Sequence, residues 1–252
     1  MEEGQYIRIS SFQLNGLCDA YGACDSERRI VLDLATEVRV TREAGGGWWR
    51  AYADQIIENF NHYLALEDVA STVTFWKLSI VPGLLQTEAY RRAIEWAHTP
   101  NAPADEIQRR VEWAVRRQTR LEDPGFVVRA FLSEAVLRDQ AGGPGLMKEQ
   151  LYHLLRFFEL PNVSIRVVPF DSRSILGSAV GSFVLLDFPG LSESKTTEPP
   201  IVYVEGYAGD LYLERDKEID RYRGGLREIA RVALNKEQSR DFILAVAKEY
   251  GA

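Results

Sequence analysis

Five arginines fall between positions 109 and 120, with Trp113 among them. On a helix, Arg109, Trp113, Arg116 and Arg120 follow one another at i, i+4, i+7 and i+11, with Arg110 and Arg117 on the same broad side. A basic stripe with an aromatic in it can hold an anion, a nucleotide or an acidic partner, because guanidinium groups bond oxyanions bidentately and stack over aromatic rings. The same spacing also suits a solvated face in which Glu106 and Glu112 pair with the arginines. Ile107, Val111 and Val115 form the other side, which is expected to be the buried one.

Glu134 and Glu205 each end a β-rich run. Two carboxylates converging within ~5–9 Å would serve as acid and base, but no sequence spacing brings them together, and each better suits a structural pair with an arginine such as Arg138 or Arg129. Gln86 and Thr87 follow Pro82-Gly83, at a strand end where open α/β sheets bind ligands. Thr87 followed by Glu88 also has the form of a helix cap. Tyr203, with Trp76, Tyr90, Trp96, Tyr207 and Tyr212, would line a pocket for a flat or apolar ligand or fill a plain core. The candidate ligand- or partner-binding residues are therefore Gln86, Trp113, Arg116, Arg117, Arg120, Glu134, Tyr203 and Glu205. No catalytic set is assigned. Ser133-Glu134 and Ser10-Ser11 lack the GxSxG elbow, and the glycine clusters at 45–47 and 142–145 match neither a Walker loop nor GxGxxG. Cys18, Cys24, His62, His98 and His153 lack metal-ligand spacing, so neither metal nor cofactor is expected.

These residues need elements to carry them. Leu14, Leu17, Cys18 and Tyr21 mark a helix over 11–23, with Gly22 suited to its C-cap. Asp25 and Ser26 offer caps for a second over 26–42. Gly45-Gly46-Gly47 reads as a linker and divides a segment 1–44 from a larger domain 45–252. A helix from Trp48 to about Tyr63 opens that domain. Strands are expected at 72–81, 126–132, 163–168, 182–188, 201–205 and 210–213, from their β-branched and aromatic runs. Helices are expected at 87–97, 103–122, 144–159, 215–234 and 236–249. The stretches 171–181 and 190–200 read as mobile loops. The expected fold class is α+β: a mixed, mostly antiparallel sheet packed with helices, preceded by a short helical segment.

The 252 residues are 46% hydrophobic and 27% charged, enough for a sizeable core. A net charge of −7 is the wrong sign for a chain that grips phosphate backbones over a broad surface. No basic n-region with an apolar run opens the chain, and no apolar stretch reaches the ~18–20 residues of a membrane span, so a cytoplasmic location is expected.

Several motifs occur together in order. They are Gly47-Trp48-Trp49, the segment Val81-Pro82-Gly83-Leu84-Leu85-Gln86-Thr87 with Tyr90, Arg109-Arg110-Val111-Glu112, Arg116-Arg117-Gln118, Glu134-Ala135-Val136-Leu137, Gly142-Gly143-Pro144, Leu160-Pro161-Asn162-Val163, Val168-Pro169-Phe170 and Val202-Tyr203-Val204-Glu205-Gly206. This set resembles the C-terminal domain of actinobacterial helix-turn-helix transcriptional regulators of the WhiJ type, over about residues 10–247. Residues 10–42 resemble the last helices of the DNA-binding module, and the recognition helix of that module has no counterpart in the nine residues before Ser10. The resemblance implies an antitoxin-like regulatory domain, a homodimer, that senses a small-molecule effector or a small partner protein and controls an attached DNA-binding module. DNA would be reached through that incomplete module, so this chain by itself is expected to bind duplex DNA no better than non-specifically. The alternatives are a hydrolase acting on a nucleotide-like substrate through Glu134 or Glu205, and a dimerisation scaffold.

Overall fold

β-branched and aromatic side chains crowd against neighbours best on a pleated sheet, and the runs rich in them become strands. A computed structural model describes residues 10–43, 58–172, 176–190, 198–206 and 209–250. Its strands are β1 (Thr72–Lys77), β2 (Val127–Ser133), β3 (Val163–Val168), β4 (Phe183–Asp187), β5 (Ile201–Val204) and β6 (Leu211–Leu213). They form one mixed sheet in the order β3-β2-β1-β4-β5-β6. β1, β2 and β3 are mutually parallel, while the β1–β4, β4–β5 and β5–β6 pairings are antiparallel. The expected α+β class, a mixed and mostly antiparallel sheet packed with helices, is the observed one.

The described helices are α1 (Ser11–Ala20), α2 (Asp25–Glu43), α3 (Glu58–Val69), α4 (Glu88–His98), α5 (Ala104–Arg116), α6 (Glu134–Arg138), α7 (Pro144–Arg156), α8 (Leu176–Val180), α9 (Asp216–Val232) and α10 (Lys236–Glu249). The chain divides into two compact units, one containing α1 and α2 and the other all elements from α3 onward. In the first unit, Ser10 and Gln13 close a capping box on α1. Arg28 of α2 reaches back to the Asn15 side chain at 3.0 Å and pairs with Asp19, which ties the two helices together. Cys18 is buried, and Gly22 takes the left-handed conformation (φ 67°) expected of it. The glycine linker and residues 48–57 of the expected third helix lie outside the described residues, as does most of 190–200. The described part of that helix, α3, runs past Tyr63 to Val69.

In the larger unit, side-chain alternation gives the sheet two unlike faces. Val73 and Phe75, Val128, Ala130 and Leu132, Val163, Ile165 and Val167, and Val184 and Leu186 share one face, and all are buried. The β1–β2 and β2–β3 crossovers carry α4, α5 and α7, and right-handed crossovers stepping the same way along the sheet put their helices on one side. The other face presents Trp76, Phe131, Val168, Phe183, Leu185 and Val202, which form a core with Ile219, Ile229 and Ala233 of α9 and the residue after it.

Three sequence expectations need correction. The stretch 171–181 contains α8, held from outside: Trp76 Nε1 donates to Gly177 O at 3.0 Å, and Val180 packs on Gly225 of α9. The strand expected over 72–81 stops at Lys77, because Leu78 N donates to Ser182 Oγ at 3.0 Å and the chain turns toward Pro82. The helices expected over 103–122 and 144–159 tighten into 3-10 turns at Arg117 and Phe157.

Candidate functional site

The arginine helix is built into the protein rather than laid on it. Trp113 is 5% exposed, whereas Val115 is 37% exposed, the reverse of the expected faces. α5 packs on α4 along one side, and its Trp113–Arg117 side meets α3. Two buried sides are wider than the single apolar stripe that hydropathy marks. Arg117 is buried and forks onto Glu67 of α3, with Nε at 2.9 Å from Oε1 and Nη2 at 2.6 Å from Oε2. Its guanidinium lies 5.4 Å from the Trp113 ring and 5.9 Å from that of Tyr63, whose hydroxyl donates to Glu67 Oε2 at 2.8 Å. Burial alone would pull the Arg117 pKa down; the Glu67 carboxylate, then Tyr63, more than reverse this. Burial, then Glu67, pushes the Tyr63 hydroxyl well up.

The neighbouring arginines are engaged as well. Arg120 donates to the carbonyls of Glu67 and Ala70 (2.6 Å for the second) at the C-terminal end of α3, where carbonyls lack helical partners. It also lies 4.2 Å from the Phe126 ring. Arg110 bridges Glu106 at 2.5 Å and Glu95 at 3.4 Å, and Arg109 pairs with Asp105 at 2.6 Å. Arg116 is exposed. Trp113, Arg117 and Arg120 are thus brought together, with Tyr203 beside them through the Tyr63 ring at 4.6 Å. Tyr203 in turn stacks at 5.2 Å on Tyr212, whose hydroxyl is pushed up to about 12 by burial, then by Asp210.

Gln86 belongs to a second internal network. Gln150 of α7, fully buried, donates to Leu85 O and accepts from Thr87 N, both at 2.7 Å. Gln86 Nε2 donates to Val81 O, and Gln118 Nε2 donates to Gln86 O, both at 2.6 Å. Thr87 caps α4 by accepting from Tyr90 N at 3.1 Å. The 81–87 loop thus has its buried backbone groups satisfied by side chains, as buried polar groups require.

Glu134 and Glu205 each have a cationic partner. Glu134 starts α6, binds Arg138 Nε at 2.6 Å through one oxygen and accepts Phe170 N at 2.9 Å through the other. Glu205 is exposed beside Lys77, at 3.4 Å. Arg138 also binds Glu249 at 2.7 Å, and its pKa is raised, by Glu249 first and Glu134 second.

A cavity of about 410 Å³ opens at the carboxyl ends of the three parallel strands, on the α9 face. Trp76 of β1 and Leu78 just after it, Ser133 of β2, and Val168 of β3 with the following Pro169 and Phe170 line it. Ile229 and Val232 of α9 close one side; Ser172, Gly177 and Ser178 close another. Among the described residues none of the lining side chains is ionisable. The walls are fixed from behind. Arg166 donates to the carbonyls of Ala230, Ala233 and Leu234 at 2.9, 2.7 and 2.8 Å, anchoring the C-terminal end of α9. Glu134 fixes Phe170 through its backbone, so this residue sits behind the pocket wall and not in it. A Cβ on Gly177 would lie 2.8 Å from the Trp76 ring, so that close approach needs glycine.

Trp76, one of the aromatics suited to a pocket or a core, belongs to both. Ser133, Val168, Ile229 and Val232 carry no sequence signal beyond ending a strand or belonging to a helix stripe. The rule that open α/β sheets bind at the carboxyl ends of their strands would have found the first two, once the strands were known to be parallel. Glu67, Gln150 and Arg166 were not anticipated, because their partners are 50, 65 and 68 residues away.

Residues 60–245 match the family model described as a domain of unknown function, DUF5753. The chain matches no curated protein and no solved structure.

Proposed function

The chain belongs to the DUF5753 family through residues 60–245, and on that premise we propose that this domain is a non-catalytic sensor that holds a small effector in the strand-end cavity. The observation that carries the reading is the cavity itself: about 410 Å³, lined by the side chains of Trp76, Leu78, Val168 and Ile229 together with Ser133, Ser172 and Ser178. Its size is that of small-molecule sites. The WhiJ-type resemblance supplies the output, a DNA-binding module of which α1 and α2 resemble the last helices. An effector that bridges the strand ends to α9 binds best when those walls are in one arrangement, and that preference is what would shift the attached module. The basic helix, read earlier as a binding stripe, has its buried members engaged within the chain, which favours the cavity as the effector's place. The expected homodimer remains part of this proposal; light scattering of the purified chain at twice the 28.6 kDa chain mass is the expected result.

The test is affinity selection from a cytoplasmic extract by the wild-type chain and by Val232→Trp, which fills the cavity. The expected result is a compound retained by the wild type alone, which raises its melting temperature and changes operator affinity of the DNA-binding protein by about 5–150-fold. Equal retention by both proteins removes the cavity from the proposal. Retention without any change in operator affinity removes the regulatory output. Retention of a polypeptide, in place of a small molecule, would favour the partner-protein form of the resemblance.

A further inference from the structure

We propose that α8 is a lid on the strand-end cavity, closed when Gly177 sits on the Trp76 ring and lifted while the sheet and α9 stay in place. This rests on the sensor reading above and names the element whose two positions that reading requires.

The walls of the cavity are held unequally. Trp76 lies in β1 between two paired neighbours, β2 and β4, and Ser133 of β2 pairs with Val168 of β3. α9 has Ile229 buried in the core and its C-terminal carbonyls bound by Arg166. α8 is five residues long and buries none of them. A helix of that length does not hold itself together, because its first turn fixes several residues for one hydrogen bond. What keeps α8 in place is external: the donation from Trp76 Nε1 to Gly177 O at 3.0 Å, and the packing of Val180 on Gly225. Just beyond it Gly181 takes a left-handed φ of 75°, and Ser182 is pinned to the sheet, its Oγ accepting from Leu78 N at 3.0 Å. Gly181 is therefore a pivot between a fixed point and a lightly held helix. Elements with few buried contacts open at a fraction of the global unfolding free energy.

Lid and ligand are linked through the same residues. Gly177 and Ser178 line the cavity, so a bound molecule touches them only with α8 down and binds that arrangement better. Val180 meets α9 at Gly225, so closure also sets a contact on the helix that forms the opposite wall.

The experiment follows hydrogen exchange in the full chain by NMR, with the Trp76 indole proton assigned through Trp76→Phe. That proton and the α8 amides should exchange at least about a hundredfold faster than the backbone amides of β1 and β2. Gly177→Ala, whose Cβ would lie 2.8 Å from the Trp76 ring, should speed them several-fold further and leave β1 and β2 unchanged. The reverse variant joins Val180→Cys to Gly225→Cys in a Cys18→Ala, Cys24→Ser background. A Cβ at 225 would lie 3.3 Å from Val180 Cγ2, close enough for a disulfide. Its oxidised form should slow the indole proton to the rate of β1, and reduction should restore the fast rate. If the indole proton of the wild type exchanges no faster than β1, α8 is a fixed wall and the inference fails. It fails equally if exchange is fast but Gly177→Ala does not speed it, since solvent then reaches Trp76 without any movement of α8. Should the disulfide variant not fold, the wild type and Gly177→Ala decide the matter between them. Failure here leaves a rigid cavity free to retain a compound in the affinity selection, and failure there leaves the motion of α8 as measured.

Discussion

The two faces of the sheet solve different problems. The face carrying Val73, Phe75, Leu132 and Val167 is apolar at its centre, and its helices are locked by buried polar bonds. Arg117 binds Glu67, Gln150 binds the 81–87 loop, and Arg120 holds the end of α3. The face carrying Trp76, Phe131 and Val168 packs against α9 and the short α8, and leaves a cavity at its upper end. Conspicuous chemistry therefore sits where the protein is most tightly built, and the open site is lined by ordinary residues. In this fold a cluster of arginine, glutamate and tyrosine marks a structural joint.

The comparison would break most clearly at Glu67. Glu67→Ala leaves the Arg117 guanidinium buried without its carboxylate, and the expected loss is about 3–5 kcal/mol of unfolding free energy. Urea denaturation measures it; a loss under about 1 kcal/mol would mean that the joint carries little of the structure. Gln150→Leu comes next. It orphans the Leu85 carbonyl and the Thr87 N–H in a fully buried position, at roughly 1–3 kcal/mol for each group. Its denaturation midpoint should fall well below that of a cavity-lining change of similar size, such as Ile229→Val.

A third contrast lies within the arginine helix. Arg120→Ala removes donors from two carbonyls and should cost about 1–3 kcal/mol. Arg116→Ala, at an exposed position, should stay within about 0.5 kcal/mol. Equal effects in a thermal melt would restore the reading of a uniform basic stripe. The smallest effect concerns pH. His153 of α7 has its pKa lowered below 6.5, first by burial and then by Arg156, against the opposing pull of Glu149. The folded protein thus holds this imidazole neutral more strongly than the unfolded chain does. The stability this contributes is present above the unfolded value and is lost as pH falls through the folded one. The urea midpoint should drop between about pH 7.5 and pH 5, and drop less in His153→Gln. Identical pH profiles would leave His153 without a role in acid sensitivity.

Strand and helix positions were legible because each follows from local pattern: the β-branched runs, the Thr87 cap, and the Pro144 that opens α7 after Gly143. α6 and α8 were not: each is five residues long, α6 opening on the Ser133 cap and α8 becoming helical against the Trp76 ring and Gly225. Trp113 was assigned to the wrong side because periodicity sees one apolar stripe and is blind to a second wall built from a buried ion pair.

The sequence by itself determined the fold class, all six strands, and the residue types able to bear charge. Period-two and 3.6-residue patterns, and the backbone limits of proline and glycine, act over a few residues and need no partner to be read. Only the tertiary structure decided which charges are consumed and where space remains. Glu67 meets Arg117 across 50 residues, Arg166 reaches the end of α9 across nearly 70, and a cavity is defined by what three strand ends and two helices fail to fill. Pairing and emptiness are relations between distant segments, and no local pattern encodes them.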